Sequence, residues 1–485
     1  MSPPPNLLLI HFTRNLRLAA NPLLQAAAQY GLPAAALYFL PEYANPRQQF
    51  FLRQTLAELS DGLSEYGIPL HVFCGNAVRQ LNALMARYPS ALLLTAQHIR
   101  LAGTDGAERV RYVQEEPLAL PVTRYSLENA PPPDFAVYRQ AWLRRVRQDA
   151  EEGGQTPDWA AVRRAQHGLP QQWRNAPPLP AAPAQILSQA GGETAAQAAW
   201  QAFAPKLPHY ALMKDFPAQK GTSQLSAALR FGLLPVRQLA CAGIGGETPE
   251  PWLDSVFYGD YCRRLLPFSD GLWTWQNGAL HEICRSAAPP EMPALDSTRA
   301  AAFERWRQGM TGVPIIDAAM RTLAGSGWLH PRLRPLAAAF AVSALKLPAA
   351  AGEHYFARTL TDYDHAPNRT GWQQAASGRL KNPFAESQNA DPGDALSAAV
   401  CPSWRTCPTT SSTPPTLPAA ASPSTATPPP LPLPETENGA RGRLKTHNPC
   451  FQTASCAYGR QIGQTGAALR RAAYLRAEGR RRQGF

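Results

Sequence analysis

Four short apolar runs of strand length punctuate the first hundred residues: NLLLIHF (6–12), AAALYFL (34–40), IPLHVF (68–73) and ALLLTAQ (91–97). Between them the period changes. RQQFFLRQTLAELSDGLSEYG (47–67) and NAVRQLNALMARY (76–88) repeat apolar residues three and four apart, as one face of a helix does. Gly67 is placed to end the first of these as a C-cap. Strand–helix alternation with continuously apolar strands predicts a doubly wound parallel sheet. No G-x-G-x-x-G follows the first strand, which disfavours a Rossmann dinucleotide site there.

The texture then loosens. PPP at 131–133, PPLPAAPA at 177–184 and GG at 191–192 mark a long connection with some helix. From about residue 196 the period is almost wholly helical, as in SQLSAALRFG (223–232), PIIDAAMRTLAGSG (314–327) and PRLRPLAAAFAVSALK (331–346), which predicts an all-α domain. After Gly393 the periodicity is lost, and residues 402–434 hold 11 prolines in 33 positions, the composition of a disordered tail. The expected organisation is an α/β domain over 1–128, a linker over 129–195, a helical domain over 196–392 and a tail over 393–485.

Composition narrows the function. A chain of 485 residues exceeds one core, and 45% hydrophobic with 9% aromatic content excludes a wholly disordered protein. The longest apolar run of the C-terminal half, Leu336–Leu345, is half of the roughly twenty residues a bilayer requires, so no membrane span is expected. No basic segment precedes the first apolar run, which argues against secretion and for the cytoplasm. Cys74, Cys241, Cys262 and Cys284 are scattered without metal-ligand spacing and read as reduced thiols. The other four cysteines lie in the tail. The net charge of +12 suits a polyanionic partner or a generally basic surface. More than half of it lies from Asp394 onward, where 11 basic residues face 4 acidic ones.

Two stretches carry candidate chemistry. In YALMKDFPAQKGTSQLSAALRFG (210–232), Thr222 and Ser223 precede a helix and Ser226 opens it. Hydroxyls at a helix start either cap it or present donors to an anion such as a phosphate. In TDYDHAPNRTGWQQAASG (361–378), Asp362 and Asp364 flank Tyr363, and Asn368 follows four residues on. Two carboxylates and an amide in a Trp-bearing segment either cap helices or hydrogen-bond a flat heterocycle.

Taken together, TGVPIIDAAMR (311–321), GW-x-H-x-R-x-R (327–334), the D-x-D-x(3)-N run (362–368) and the opening HFTRNLRLAANPLL (11–24) resemble the DNA photolyase/cryptochrome family, and the bacterial class I photolyases of cyclobutane pyrimidine dimers within it. The resemblance spans about residues 6–392. It implies an N-terminal antenna domain, a helical FAD-binding domain and light-driven repair of dimers in damaged DNA by a monomer. The runner-up is a cryptochrome-like blue-light sensor, or a paralogue without repair. By this resemblance Tyr210, Thr222, Ser223, Gln224, Leu225 and Ser226 match the segment around the FAD phosphates and ribitol, and Trp252 another pocket position. Asp362, Tyr363 and Asp364 match the adenine and isoalloxazine segment, Asn368 the residue facing flavin N5, and Arg334 the partner of Asp362. Trp372 matches the flavin-proximal member of an electron relay, and Arg332 a position that holds DNA phosphates. A folate antenna, a deazaflavin antenna or none is compatible with the resemblance, and Glu108 in 95–113 is the acid that would serve at the family's folate position.

The departures fall on the substrate side and the relay. Ser255 stands where the family has a glutamate that hydrogen-bonds the pyrimidine, and Tyr258 where it has a tryptophan that stacks on the dimer. Pro331 replaces an asparagine, and Lys214 an arginine. The middle and outer relay positions fall at Ala349 and near Asp296. Beyond FAESQNADP the family continues with a segment like IRRYVPEL, whereas this chain reads ALSAAVCPSW. Plausible codons for these residues, read one base out of step, encode AIRRCMPELAHLPDDFIHA, so a frameshift near Gly393 is expected.

Overall fold

The computed structural model describes residues 4–97, 99–101, 109–113, 135–152, 157–244, 250–266, 271–284, 287–377, 389–391, 393 and 395–400. The predicted tail past Val400 and Glu108 lie outside them. Described residues up to Tyr112 and Val113, and from Val146 onward, belong to one compact unit, and Phe135–Arg145 to a second.

The four apolar runs are strands: β1 (Leu7–Phe12), β2 (Ala34–Phe39), β3 (Leu70–Phe73) and β4 (Ala91–Thr95). Helices α1 (Pro22–Tyr30), α2 (Pro46–Ser64) and α3 (Ala77–Arg87) alternate with them. Two three-residue strands follow, β5 (Ile99–Leu101) and β6 (Val110–Tyr112). The main sheet is parallel, in the order β3-β2-β1-β4-β6. Leu7–Ile10 and Ala34–Leu37 are buried on both faces, hence the unbroken apolar runs. The chain winds outward from β1 to β3 and returns at β4, so the strand order reverses beside β1, where the carboxyl ends of α/β strands open a crevice. Each helix starts on a side-chain cap, from Asn21, Asn45 and Asn76, and Asn45 forms a full capping box with Gln48.

The connection expected over 129–195 contains α4 (Phe135–Glu152), α5 (Trp159–Ala165) and α6 (Gln171–Arg174). The helical part follows: α7 (Glu193–Phe203), α8 (Tyr210–Met213), α9 (Ser226–Arg230), α10 (Val236–Ile244) and α11 (Glu250–Leu265). After a hairpin come α12 (Ser297–Arg307), α13 (Pro314–Ser326), α14 (Leu333–Ala339), α15 (Ala349–Thr359), α16 (His365–Ser377) and α17 (Ala395–Val400). A second core of Trp306, Ile315, Ile316, Met320, Leu333, Phe356 and Trp372 lies among these later helices.

The hairpin adds a feature to this otherwise helical stretch. Strands β7 (Leu272–Gln276) and β8 (Ala279–Cys284) turn on Asn277 and Gly278, both at positive φ (53° and 75°). Asn-Gly between apolar runs is the sequence signal of such a turn. β7 pairs in parallel with β5, so the hairpin joins a strand more than 170 residues earlier in the chain, Ile99 facing Trp273.

Polar contacts tie the sheet half to the helices. Asn45 Nδ2 donates to the carbonyls of Ala357 and Leu360 at 2.7 and 2.8 Å. Buried Arg17 donates to the Gly232 carbonyl at 2.9 Å, and the Glu193 carboxylate accepts from the Leu18 and Ala19 amides. Gly232 is left-handed (φ 67°), and a Cβ there would strike the Arg14 carbonyl, so only glycine allows this approach.

Candidate functional site

The site grows from the turn between α15 and α16. Asp362, Tyr363 and Asp364 are all buried there, although two of them are carboxylates. Buried carboxylates require partners, and each finds arginine. Asp362 accepts from Arg334 of α14 at 2.6 Å. Asp364 accepts a bidentate pair from Arg14, in the loop after β1, at 2.9 and 3.0 Å. It also accepts from Arg263 of α11 at 3.1 Å, and Arg230 at the end of α9 lies 4.0 Å away. Burial alone raises a carboxyl pKa, but Arg14, Arg263 and Arg230 together hold Asp364 well below the ordinary carboxylate range. It stays ionised in a surrounding of excess positive charge.

This cluster draws the two predicted stretches together. Arg230 also donates to the Tyr363 carbonyl at 3.2 Å, which fixes the 222–230 segment against the turn. The hydroxyls there do not cap a helix: the residue before α9 is Leu225, and no side chain caps its amides. Ser223 Oγ accepts from the Leu225 amide at 3.4 Å. Gln224 holds a left-handed backbone (φ 56°), which sets the turn into α9, and Leu225 is core. Thr222 Oγ1, Ser226 Oγ and Asp362 Oδ1 are buried, and none has a hydrogen-bond partner among the described residues. Leaving such atoms unmet costs about 1–3 kcal/mol each, so they mark groups aimed at something other than the fold.

Asn368 lies one turn into α16, buried, with its Nδ2 donating to the Asp364 carbonyl at 2.9 Å. Its amide oxygen is left for another partner. Trp372, a turn further on, is buried against Phe356 and Trp306. Tyr210 and Trp252 form a separate aromatic box with Trp200 and Phe203, centroids 5.1–5.9 Å apart between neighbours. The Trp252 indole N–H is already used, donating to Leu239 at 2.8 Å, so this ring contributes packing.

Of the residues expected to face a substrate, Ser255 is exposed on α11 and donates back to the Trp252 carbonyl at 2.7 Å. Tyr258, one turn on, is 37% exposed. Arg332 and Arg334 are the two arginines of the GW-x-H-x-R-x-R segment, whose His330 is buried and held neutral, its pKa pushed down to about 4 by burial. Lys214 pairs with its neighbour Asp215 at 2.9 Å.

A cavity of about 230 Å³ opens at the carboxyl ends of the strands and is bounded on one side by Tyr363 and His365. His11, Thr13, Tyr38, Asn76 and Gln97 line it, with Trp273 of the hairpin. His11 stacks flat on Trp273 (5.6 Å, 2°), hydrogen-bonds Thr95 at 2.9 Å, and is kept neutral by burial with a pKa near 3. Gln97 donates to the Gly271 carbonyl at 2.8 Å. Arg14 and Arg230 reach this cavity too, so they stand between it and Asp364.

Arg14, Arg230 and Arg263 were not singled out in the sequence. The signal for Arg14 lay in the TRNLR run of the opening motif; the other two had none beyond being basic near the chosen segments.

Comparison with known proteins agrees with this layout. Residues 8–123 match the family model for DNA photolyase, and residues 272–428 the FAD binding domain of DNA photolyase. A deoxyribodipyrimidine photo-lyase of Salmonella typhimurium is 28% identical over 441 residues, covering 79% of this chain and 86% of the relative. One from Thermus thermophilus is 35% identical over 213 residues, covering 41% and 48%. Among solved structures, a bacterial class III photolyase from Agrobacterium tumefaciens superposes with a TM-score of 0.60 at 22% identity, covering 83% of this chain and 88% of that one. A Synechocystis cryptochrome gives 0.59 at 20%, covering 84% and 90%. The chain belongs to the DNA photolyase/cryptochrome family, and its residues 272–428 match the FAD-binding domain of that family. Among the described residues no helix is long and apolar enough to cross a membrane, and no group of His, Cys, Asp or Glu could hold a metal.

Proposed function

We propose that this protein binds one FAD between the 222–230 segment and the 362–368 turn and uses it to split cyclobutane pyrimidine dimers in DNA under blue or near-ultraviolet light. The observation that carries the reading is the set of buried polar atoms without partners among the described residues, Thr222 Oγ1, Ser226 Oγ and Asp362 Oδ1, on two segments that Arg230 joins. Two hydroxyl donors suit phosphate or ribose oxygens, and a free carboxylate oxygen suits an N–H of a heterocycle. Reduced FAD, when bound, supplies an electron to the dimer on illumination and takes it back after the ring opens.

The side chains do the rest. Arg334, held by Asp362, places fixed positive charge where an anionic cofactor is favoured. Asn368, anchored through its Nδ2, holds its oxygen toward flavin N5 without rotating. Arg332 and Lys214 hold DNA phosphates, which makes binding salt-dependent. The lesion is turned out of the stack, at a few kcal/mol or less because its pairing is already distorted, and Tyr258 supplies a ring to stack on it. The strand-end cavity takes a second flat chromophore, folate or deazaflavin, as an antenna. The protein works as a cytoplasmic monomer on damaged DNA, with the four-part organisation set out above. The abrupt change at Gly393 is a frameshift, which sequencing of the locus decides: codons that lack the alternative reading reject it.

A cryptochrome-like sensor is the second reading, favoured by Ser255, whose hydroxyl is turned to its own helix and offers no carboxylate to a pyrimidine. Illumination of dithionite-reduced protein with dimer-bearing oligothymidylate separates the two. Repair predicts recovery of thymine absorbance under blue light, and a flavin-loaded protein that gives none is the sensor.

A further inference from the structure

We propose that the electron relay of this chain runs from Trp372 through Trp306 to Tyr355, replacing the route whose middle and outer positions fall at Ala349 and Asp296. The proposal rests on the flavin reading above and deepens it. Neither of those two residues can carry charge: Ala349 opens α15, and Asp296 caps α12 through the Arg299 amide at 2.8 Å. The aromatic neighbours of Trp372 lead elsewhere. Trp306, on α12, meets Trp372 edge to face with centroids 6.2 Å apart, and Tyr355, on α15, meets Trp306 at 5.7 Å. Each ring therefore touches the next, and charge passes between rings in contact without a bridging group.

The surroundings of the three rings differ in a way that sets direction. Trp372 and Trp306 are 2% and 0% exposed, and the Trp306 indole N–H has no acceptor among the described residues. A tryptophan radical cation held there has nowhere to lose its proton, so the charge stays mobile and moves on. Tyr355 is half-buried, and its hydroxyl donates to the Arg307 carbonyl at 3.2 Å. Burial holds the Tyr355 phenol above its ordinary pKa, while Arg307 and Arg47 oppose that shift and disfavour a cation on its ring. Gly352 keeps the path tight, because a Cβ there would collide with the Trp372 ring.

The balance is one electron and one proton. On illumination Trp372 would give one electron to bound oxidised flavin and be refilled from Trp306 and then from Tyr355. The Tyr355 phenol gives its O–H proton to water and becomes a neutral phenoxyl radical. A thiol in solution returns a hydrogen atom to it, and two thiyl radicals couple to a disulfide.

The test uses the full chain loaded with oxidised FAD, illuminated with blue light in the presence of a thiol, with flavin absorbance followed and freeze-trapped samples read by electron paramagnetic resonance. The wild-type protein should photoreduce and show a tyrosyl signal. Tyr355→Phe, which keeps the ring and the fold, should lose that signal and slow photoreduction. Trp306→Phe should lose both while FAD content and circular dichroism stay unchanged. A Tyr355→Phe protein with the wild-type signal and rate overturns the proposal. So does a wild-type protein that holds FAD and repairs dimers after chemical reduction yet never photoreduces, an outcome that leaves the repair reading standing. Failure to hold FAD at all counts against the flavin reading instead.

Discussion

The cavity at the sheet's carboxyl edge and the arginine-ringed turn of the helical half share Arg14 and Arg230, yet they are built on opposite principles. In the cavity, His11 is neutral, hydrogen-bonded to Thr95 and stacked on Trp273, and Gln97 is satisfied by Gly271. At the turn, buried Asp364 stays charged among three arginines, buried Asp362 pairs with Arg334, and Thr222, Ser226 and Asp362 keep atoms that the fold does not use. The first region satisfies His11 and Gln97 within the fold and keeps an open space beside flat rings, as the antenna reading requires. The second carries polarity that folding alone does not repay, which is the mark of a site shaped for a ligand.

Removing charge from the turn should have the largest effect. Asp364→Asn leaves Arg14, Arg263 and Arg230 facing one another without their anion and should destabilise the protein by about 3–5 kcal/mol in denaturant unfolding. Wild-type stability should also carry the acid signature of a depressed carboxyl: a contribution present above about pH 4, the unfolded value, and lost as the pH falls toward the folded one. The variant should lack it. Equal stability of variant and wild type would place the two regions on the same footing.

The neutral cavity should answer to pH in a different window. Unfolding frees His11 to protonate near pH 6.5, whereas in the folded protein its pKa is about 3. Stability should therefore fall as the pH drops from 6.5 toward 3, by about 1.4 kcal/mol per pH unit from this residue. His330, at about 4, adds a similar slope over a shorter range. In His11→Gln the slope should shrink by one proton's worth, measured as urea midpoints across that range.

The smallest effects should be the most telling. Thr222→Ala and Ser226→Ala remove hydroxyls that bond nothing in the fold, so stability without cofactor should change by less than about 0.5 kcal/mol. FAD affinity, read by fluorescence titration, should drop about fivefold per hydroxyl, from a lost bond of roughly 1 kcal/mol. Loss of stability with unchanged affinity would show that these hydroxyls serve the fold after all.

Much of the sheet half was legible in the sequence because its strands are buried on both faces. Leu7–Ile10 or Leu92–Leu94 need only be apolar, and the run announces itself. The hairpin at 272–284 was passed over inside a helical stretch, although Gln276-Asn277-Gly278 carried its turn signal. In the site, Asp362, Asp364 and Asn368 were found because they sit close together in one segment. Arg14 was not placed there: 350 residues separate it from Asp364, and no local pattern reports a contact made by tertiary folding. The reverse held at Thr222. Its residue type suited a helix cap as well as a ligand donor, and only the geometry, with Leu225 before the helix, separated the two.

The central claim is that one FAD fills the space between the 222–230 segment and the 362–368 turn. Titrating FAD into cofactor-stripped, full-length protein, with absorbance and bound-flavin fluorescence as readouts, tests it most directly. The account predicts one FAD per chain, weakened binding in Asp362→Ala, and an altered flavin potential in Asn368→Ala, with both variants folded. A colourless wild-type protein that takes up no added FAD, or one that binds it equally well after both substitutions, would contradict it.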